Sequence, residues 1–265
     1  MPALIGELDE ATEADEVRAL ANANVALDTM EGPRLDQLAD ILDVELRVLK
    51  TYRELDHYPD RGEALYVPTN DLVPGVTPEW PDAPGPKVFA YLKPGPVLVP
   101  LLTVLSRRKI PSLVCADGLP QQVIDQFSGP TLTFSRTSFD MTEAGKRCDL
   151  AVLNANHGTL INLLLAGRPL LLAPIQLEQR VLTTRLAKLG VGVPVNAPKQ
   201  TAVDLALEAL LQDPRHRVAA QAFASRHAGF DFDASERELA DRVEGLIKDG
   251  DGAAAGAQPS SRSLH

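Results

Sequence analysis

Basic charge is what this sequence has least of: 36 acidic residues against 26 basic ones leave a formal net charge of -10 over 265 residues. A sequence-independent grip on nucleic acid or an anionic membrane needs a basic footprint, so both classes of partner are disfavoured. Cysteine is scarce as well. Cys115 and Cys148 lie in or beside apolar runs and form neither a CxxC pair nor a disulfide framework, which predicts two reduced, packed thiols and no metal site built on them. There is no long hydrophobic run either, because the most apolar stretch, residues 160–175, is broken by Asn162, Gly167, Arg168, Pro169 and Pro174. A membrane helix needs about 20 uninterrupted apolar residues. The N-terminus has no basic segment leading into an apolar one, so no signal peptide is expected and the protein is placed in the cytoplasm.

What is present is a hydrophobic fraction of 45%, ample for a packed core. Residues 1–58 open with an acidic, Ala-rich segment. A helical pattern then follows over Leu35, Leu38, Ile41 and Leu42, introduced by Pro33, with a short strand over residues 46–49. Residues 59–86 carry seven prolines, the composition of an extended connection between domains. From residue 87 to 248 short apolar runs alternate with helical stretches: KVFAYL, SLVCA, TLTFS, DLAVLN, PLLLAP and GVPV each precede a helix. That alternation predicts a doubly wound α/β domain, a parallel sheet covered on both faces. Three terminal helices, near residues 202–211, 215–225 and 235–248, complete it, and residues 249–265 have the small and polar bias of a disordered tail.

The chemistry concentrates in residues 148–193. A buried strand ends near Leu153, a tight polar turn follows, and Gly158 and Thr159 open the next helix. Ligands of open α/β sheets sit at the carboxyl ends of strands, where helix amino termini direct unpaired N–H groups outward, so an anion such as a diphosphate is favoured there. The same geometry recurs at every strand end of such a sheet, and a turn without ligand explains Asn154 and Asn156 equally well.

The register of this stretch is more specific: Asp149, then His157, Gly158 and Thr159, then Leu163 or Leu164, Gly167, Pro169, Pro174, Gln179, Leu189, Gly190 and Gly192. It resembles the donor-site signature of two-domain (GT-B) nucleotide-sugar glycosyltransferases of the UDP-glucuronosyl, antibiotic and MurG-like kind. The resemblance covers residues 40–248, and implies a Rossmann-like C-terminal donor domain preceded by an incomplete N-terminal α/β segment. By it, Asn154, Asn156, His157, Gly158 and Thr159 would hold the diphosphate of a UDP- or dTDP-sugar, Asn162 the ribose, and Glu178 and Gln179 the sugar. No cofactor is implied, since such enzymes stabilise the leaving diphosphate largely through a helix amino terminus and neighbouring donors, without a DxD-like metal motif.

Several positions depart from the signature. Asn154 stands for the usual His and Asn156 for the second Gly; Asn tolerates left-handed backbone better than most residues. Asn162 stands for a Glu that accepts from ribose hydroxyls, and a neutral amide forms bonds about half as strong as a charge-assisted one. The acceptor pocket and catalytic base belong to a first domain with its own sheet, so the catalytic residue is left unassigned, and a second polypeptide or self-association is expected to complete that half. The competing function is a non-catalytic nucleotide-sugar-binding module; an epimerase with the same architecture is a weaker third. His57 precedes the proline-rich stretch and reads as a packing residue, His216 and His227 as surface residues without a partner cluster, and Ser106, Arg107 and Arg108 as a helix end.

Overall fold

The computed structural model describes residues 10–56, 62–69, 75–195 and 197–256. His57, with the start of the proline-rich stretch, and residues 257–265 lie outside them. The chain divides into two compact units: residues 1–53, 58–68 and 232–265 form one, and residues 54–57 and 69–231 the other.

In the first unit the acidic Ala-rich segment is a helix, α1 (Glu10–Thr29). Its apolar residues do not line up on one side, so no periodicity announced it, and Ala, Glu and Leu propensity accounts for it. Its buried Asn24 ties down the following loop, donating to the Leu35 carbonyl (3.0 Å) and accepting from the Leu35 N–H (2.8 Å). The pattern over residues 35–42 becomes a single 3-10 turn, Leu38–Leu42. Strand β1 (Val48–Leu49) pairs in parallel with β2 (Leu65–Tyr66), which falls within the stretch read as an extended connection.

The second unit is a parallel sheet of six strands wrapped in helices. In chain order it runs β3 (Val88–Tyr91), α2 (Leu98–Arg107), β4 (Ser112–Cys115), α3 (Gln121–Phe127), β5 (Leu132–Ser135), α4 (Met141–Arg147) and β6 (Leu150–Leu153). It continues with α5 (His157–Leu165), β7 (Leu170–Leu172), α6 (Leu177–Lys188), β8 (Gly192–Pro194), α7 (Gln200–Gln212) and α8 (Pro214–His227). The strand order is β5-β4-β3-β6-β7-β8, that of a doubly wound fold with its switch point between β3 and β6. The inner strands are continuous apolar runs because both faces are covered. Along them Val88, Ala90, Val114, Leu150, Val152 and Leu171 share a core with α2 and α7, while the intervening Phe89, Leu113, Ala151 and Leu170 point to the opposite face.

The end of the proline-rich stretch packs on this sheet unit. Val76 bridges Phe139, donating to the Ser138 carbonyl and accepting from the Asp140 N–H, and a Cβ on Gly75 would fall 2.2 Å from the Phe139 carbonyl carbon, so only glycine fits. The last helix, α9 (Phe232–Gly256), groups with the first unit and continues past Lys248 into the segment expected to be a disordered tail. Among the described residues no helix is long and apolar enough to cross a membrane.

Candidate donor site

The switch point lies between β3 and β6, and the turn from β6 into α5 follows the carboxyl end of β6 there. Asn154, 2% exposed, fastens that turn: its Oδ1 accepts from the Lys93 N–H (2.7 Å) after β3, and its Nδ2 donates to the Ala173 carbonyl (2.7 Å) after β7. One side-chain amide thus joins the ends of three adjacent strands. Both ends of the amide are occupied, so Asn154 holds the loop.

The left-handed residue of the turn is Ala155, buried, with φ of 67°, and not either asparagine. In the signature this is the first Gly of the pair, where a missing Cβ costs nothing. A side chain there carries about 1–2 kcal/mol of strain. Asn156 is the N-cap of α5 with extended backbone, yet its side chain makes no cap hydrogen bond. Its Oδ1 instead accepts from Gln179 Nε2 at 2.9 Å.

Gln179, also buried, is correspondingly committed. Its Oε1 accepts from the N–H groups of Ile175 (2.9 Å) and Gln176 (3.2 Å), so the residue caps α6 and braces it against the start of α5. Glu178 beside it is exposed in the first turn of α6.

His157 and Thr159 are half-buried at the start of α5, and between them Gly158 is exposed. A Cβ on Gly158 would meet no atom within 4 Å. Packing therefore gives no reason for glycine, and in a helix it costs about 0.5–1 kcal/mol relative to alanine. One turn on, Asn162 Nδ2 donates to the Gly158 carbonyl at 3.2 Å, which spends the donor end of the amide within the helix and leaves Oδ1 as an acceptor.

Sequence reasoning missed a charged group beside this turn. Lys93 Nζ pairs with Asp117, and Tyr91 Oη donates to the same carboxylate at 3.3 Å, across the ends of β3 and β4. The hydrogen bond to Asp117 raises the lysine pKa, the same bond lowers the Asp117 pKa, and burial raises that of Tyr91. A lysine directly after an apolar strand, as in VFAYLK, was the available signal.

Other signature residues shape the chain. Asp149 accepts from the Lys87 N–H (2.8 Å) and pairs with Arg217 (3.4 Å), and Gly167 and Gly190 take positive φ where α5 and α6 end. Arg107 and Arg108 pair with Asp204 and Glu208 on α7. Nor are the two histidines bare surface residues. His216 Nδ1 lies 2.7 Å from the Gly190 carbonyl, and His227 packs on Phe223 and meets Glu54 Oε1 at 3.1 Å. Gly190 and Glu54 are distant in sequence and so left no local signal, while Phe223 lies one turn away on α8 itself.

Comparison with solved structures finds the same fold in glycosyltransferases. The chain superposes on the spinosyn rhamnosyltransferase SpnG with a TM-score of 0.59 and 17% identity, over 74% of this chain and 56% of that one. SpnG has also been solved complexed with thymidine diphosphate. The glycotransferase of kitacinnamycin gives 0.65 and 15%, over 85% of this chain and 62% of that one. The calicheamicin glycosyltransferase CalG4 gives 0.61 and 17%, over 91% and 60%. The chain has the Rossmann-like fold of a GT-B donor domain. It spans between half and two thirds of the length of these neighbours. No family model matches the sequence, and no curated protein matches it.

Proposed function

We propose that this chain binds a nucleoside diphosphate sugar at the start of α5 and forms the donor-binding half of a hexosyl-transferring glycosyltransferase. The observation that carries the reading is Gly158: an exposed helical glycine with open space around it, in the first turn of a helix whose N-cap side chain is turned away, at the switch point of a doubly wound sheet. Backbone N–H groups there can approach a diphosphate, and the helix dipole favours its charge.

In this reading the N–H groups of Gly158 and Thr159, with the Thr159 hydroxyl, hold the diphosphate. Asn156 and His157 line it, and Asn154 positions the turn from behind. The free Oδ1 of Asn162 accepts from the ribose, and Glu178 reaches the sugar hydroxyls, with Gln179 setting the angle between α5 and α6. Sugars of thymidine or uridine diphosphate are the donors proposed, the first nucleotide supported by the SpnG complex. Transfer further requires an acceptor-binding face in addition to this donor half.

The test is calorimetric titration with UDP, dTDP, UDP-glucose and dTDP-glucose, repeated on Thr159→Ala. Saturable binding weakened about tenfold by the substitution supports the donor site, that being the worth of one hydrogen bond to a charged group. A folded protein that binds none of the four at millimolar ligand removes it. Asn162 favours a second reading, a nucleotide-sugar-binding module without turnover; binding without hydrolysis or transfer, unchanged by Asn162→Glu, would select it.

A further inference from the structure

A cavity of about 580 Å³ lies in the sheet unit, between α6, the residues preceding α2 and the chain leaving β8. None of the residues proposed to hold the donor lines it. Its volume falls within the range of small-molecule sites, roughly 300–1,000 Å³.

One side of the cavity is a stripe of α6. Arg180, Thr183, Thr184 and Lys188 recur at the spacing that places residues on one helix face. The opposite wall is apolar and stiff, with Pro174 and Pro194 among its residues. The lining contains two cations and no carboxylate, in a chain of net charge -10. Elsewhere on this unit Arg107, Arg108 and Arg217 find acidic partners. Arg180 and Lys188 have none among the described residues.

Thr183 also lines the cavity. It is 4% exposed, and its Oγ1 is buried with no hydrogen-bond partner. The neighbouring Thr184 satisfies its hydroxyl in the usual helical way, donating to the Arg180 carbonyl at 3.0 Å. A buried hydroxyl left unpaired is costly in the folded chain. The oxygen itself has no accessible surface, so a ligand in the cavity is held by the two cations and not by this hydroxyl.

We infer that this cavity is a second ligand site, for a small organic dianion whose charged groups meet Arg180 and Lys188 while its body lies against the prolines. Guanidinium and ammonium both bind phosphate and carboxylate oxygens, the former in bidentate fashion. The inference does not depend on the donor reading.

The experiment titrates the full chain with glucose 6-phosphate and, separately, with succinate, by calorimetry. Wild type, the Arg180→Gln/Lys188→Gln double variant and Thr183→Val are compared, each checked for folding by thermal denaturation. Saturable binding of either dianion with a Kd of about 1 mM or below is expected. The ester alone would mark a phosphomonoester site, and succinate alone a dicarboxylate site. The double variant should lose about tenfold or more in affinity. Thr183→Val should bind the dianion as wild type does with no fall in Tm, because it removes an inaccessible, unsatisfied hydroxyl at nearly constant volume. Saturating dTDP should leave dianion binding unchanged. The inference is overturned if neither dianion binds up to about 10 mM, if the double variant binds as wild type does, or if dTDP displaces the dianion.

Discussion

Gly158→Ala separates stability from ligand binding at one atom. In the free protein the added methyl meets nothing within 4 Å and the backbone stays helical, so the substitution removes glycine's conformational penalty. Stability should rise by about 0.5 kcal/mol, the low end for a helix because the position lies in the first turn. With ligand the sign reverses. A helical Cα–Cβ bond tilts toward the helix amino terminus, so the methyl projects to the side on which the diphosphate is proposed to sit. Displacing one charged acceptor from backbone donors loses about 1.5–3 kcal/mol, a tenfold to hundredfold rise in the Kd for dTDP. Urea unfolding followed by circular dichroism reads the first effect, and calorimetric titration with dTDP the second. A variant that is more stable and binds dTDP as tightly as wild type would refute the placement of the diphosphate. A variant that is less stable would refute the local geometry of α5.

Asn154→Ala leaves the Lys93 N–H and the Ala173 carbonyl without their partner, and is expected to cost about 2–4 kcal/mol by urea unfolding. Ala155→Val places a β-branched side chain at a φ of 67° in a buried turn. The expected loss, read in the same assay, is about 2 kcal/mol or more. Burial pushes the Cys148 thiol up to about 12, and burial raises Cys115 as well, so native protein at pH 8 should resist alkylation by iodoacetamide while urea-unfolded protein reacts at both thiols. At the start of α8 the Arg215 side chain holds Asp213 down at about 2. Its folded value lies below the unfolded one, so the contribution is present above the ordinary carboxylate range and is lost as pH falls toward 2. Carboxyl NMR titration should place Asp213 near that value, and Arg215→Gln should return it toward 3.8.

The sheet was legible because its four inner strands are buried on both faces. VFAY, SLVC, LAVL and LLL are unbroken apolar runs, and each is punctuated by turn residues before the next helix. The edge strands were readable for a weaker reason: LTFS and GVP stand at the expected spacing although only one residue of each is buried. Helix α1 was not legible, since its apolar residues make no stripe; β1 falls within the short strand expected over residues 46–49, whereas β2 is too short to show a period. Proline composition described the stretch before residue 87 as extended, but the contact between Gly75 and Phe139 depends on two segments far apart in sequence.

The site divides along the same line. The position of the turn and the opening of α5 at Gly158 follow from local signals, a strand end and a helix start. The roles of the asparagines do not. Asn154 is occupied by Lys93 and Ala173, and Asn156 by Gln179; these partners come from three other strand or helix ends. The left-handed residue was expected at an asparagine by intrinsic tolerance, whereas the chain path imposes it on Ala155. Thr183 and its cavity left no mark in sequence, because an unpaired hydroxyl is visible only once the surrounding atoms are placed.

The central claim is that a nucleotide diphosphate rests on the first turn of α5. Amide NMR of the 15N-labelled chain, titrated with dTDP, tests it directly. The account predicts the largest saturable shifts at the Gly158 and Thr159 N–H groups, with smaller ones at Asn156 and Asn162. Shifts centred elsewhere on the sheet unit, or none at millimolar dTDP in a folded protein, would contradict it.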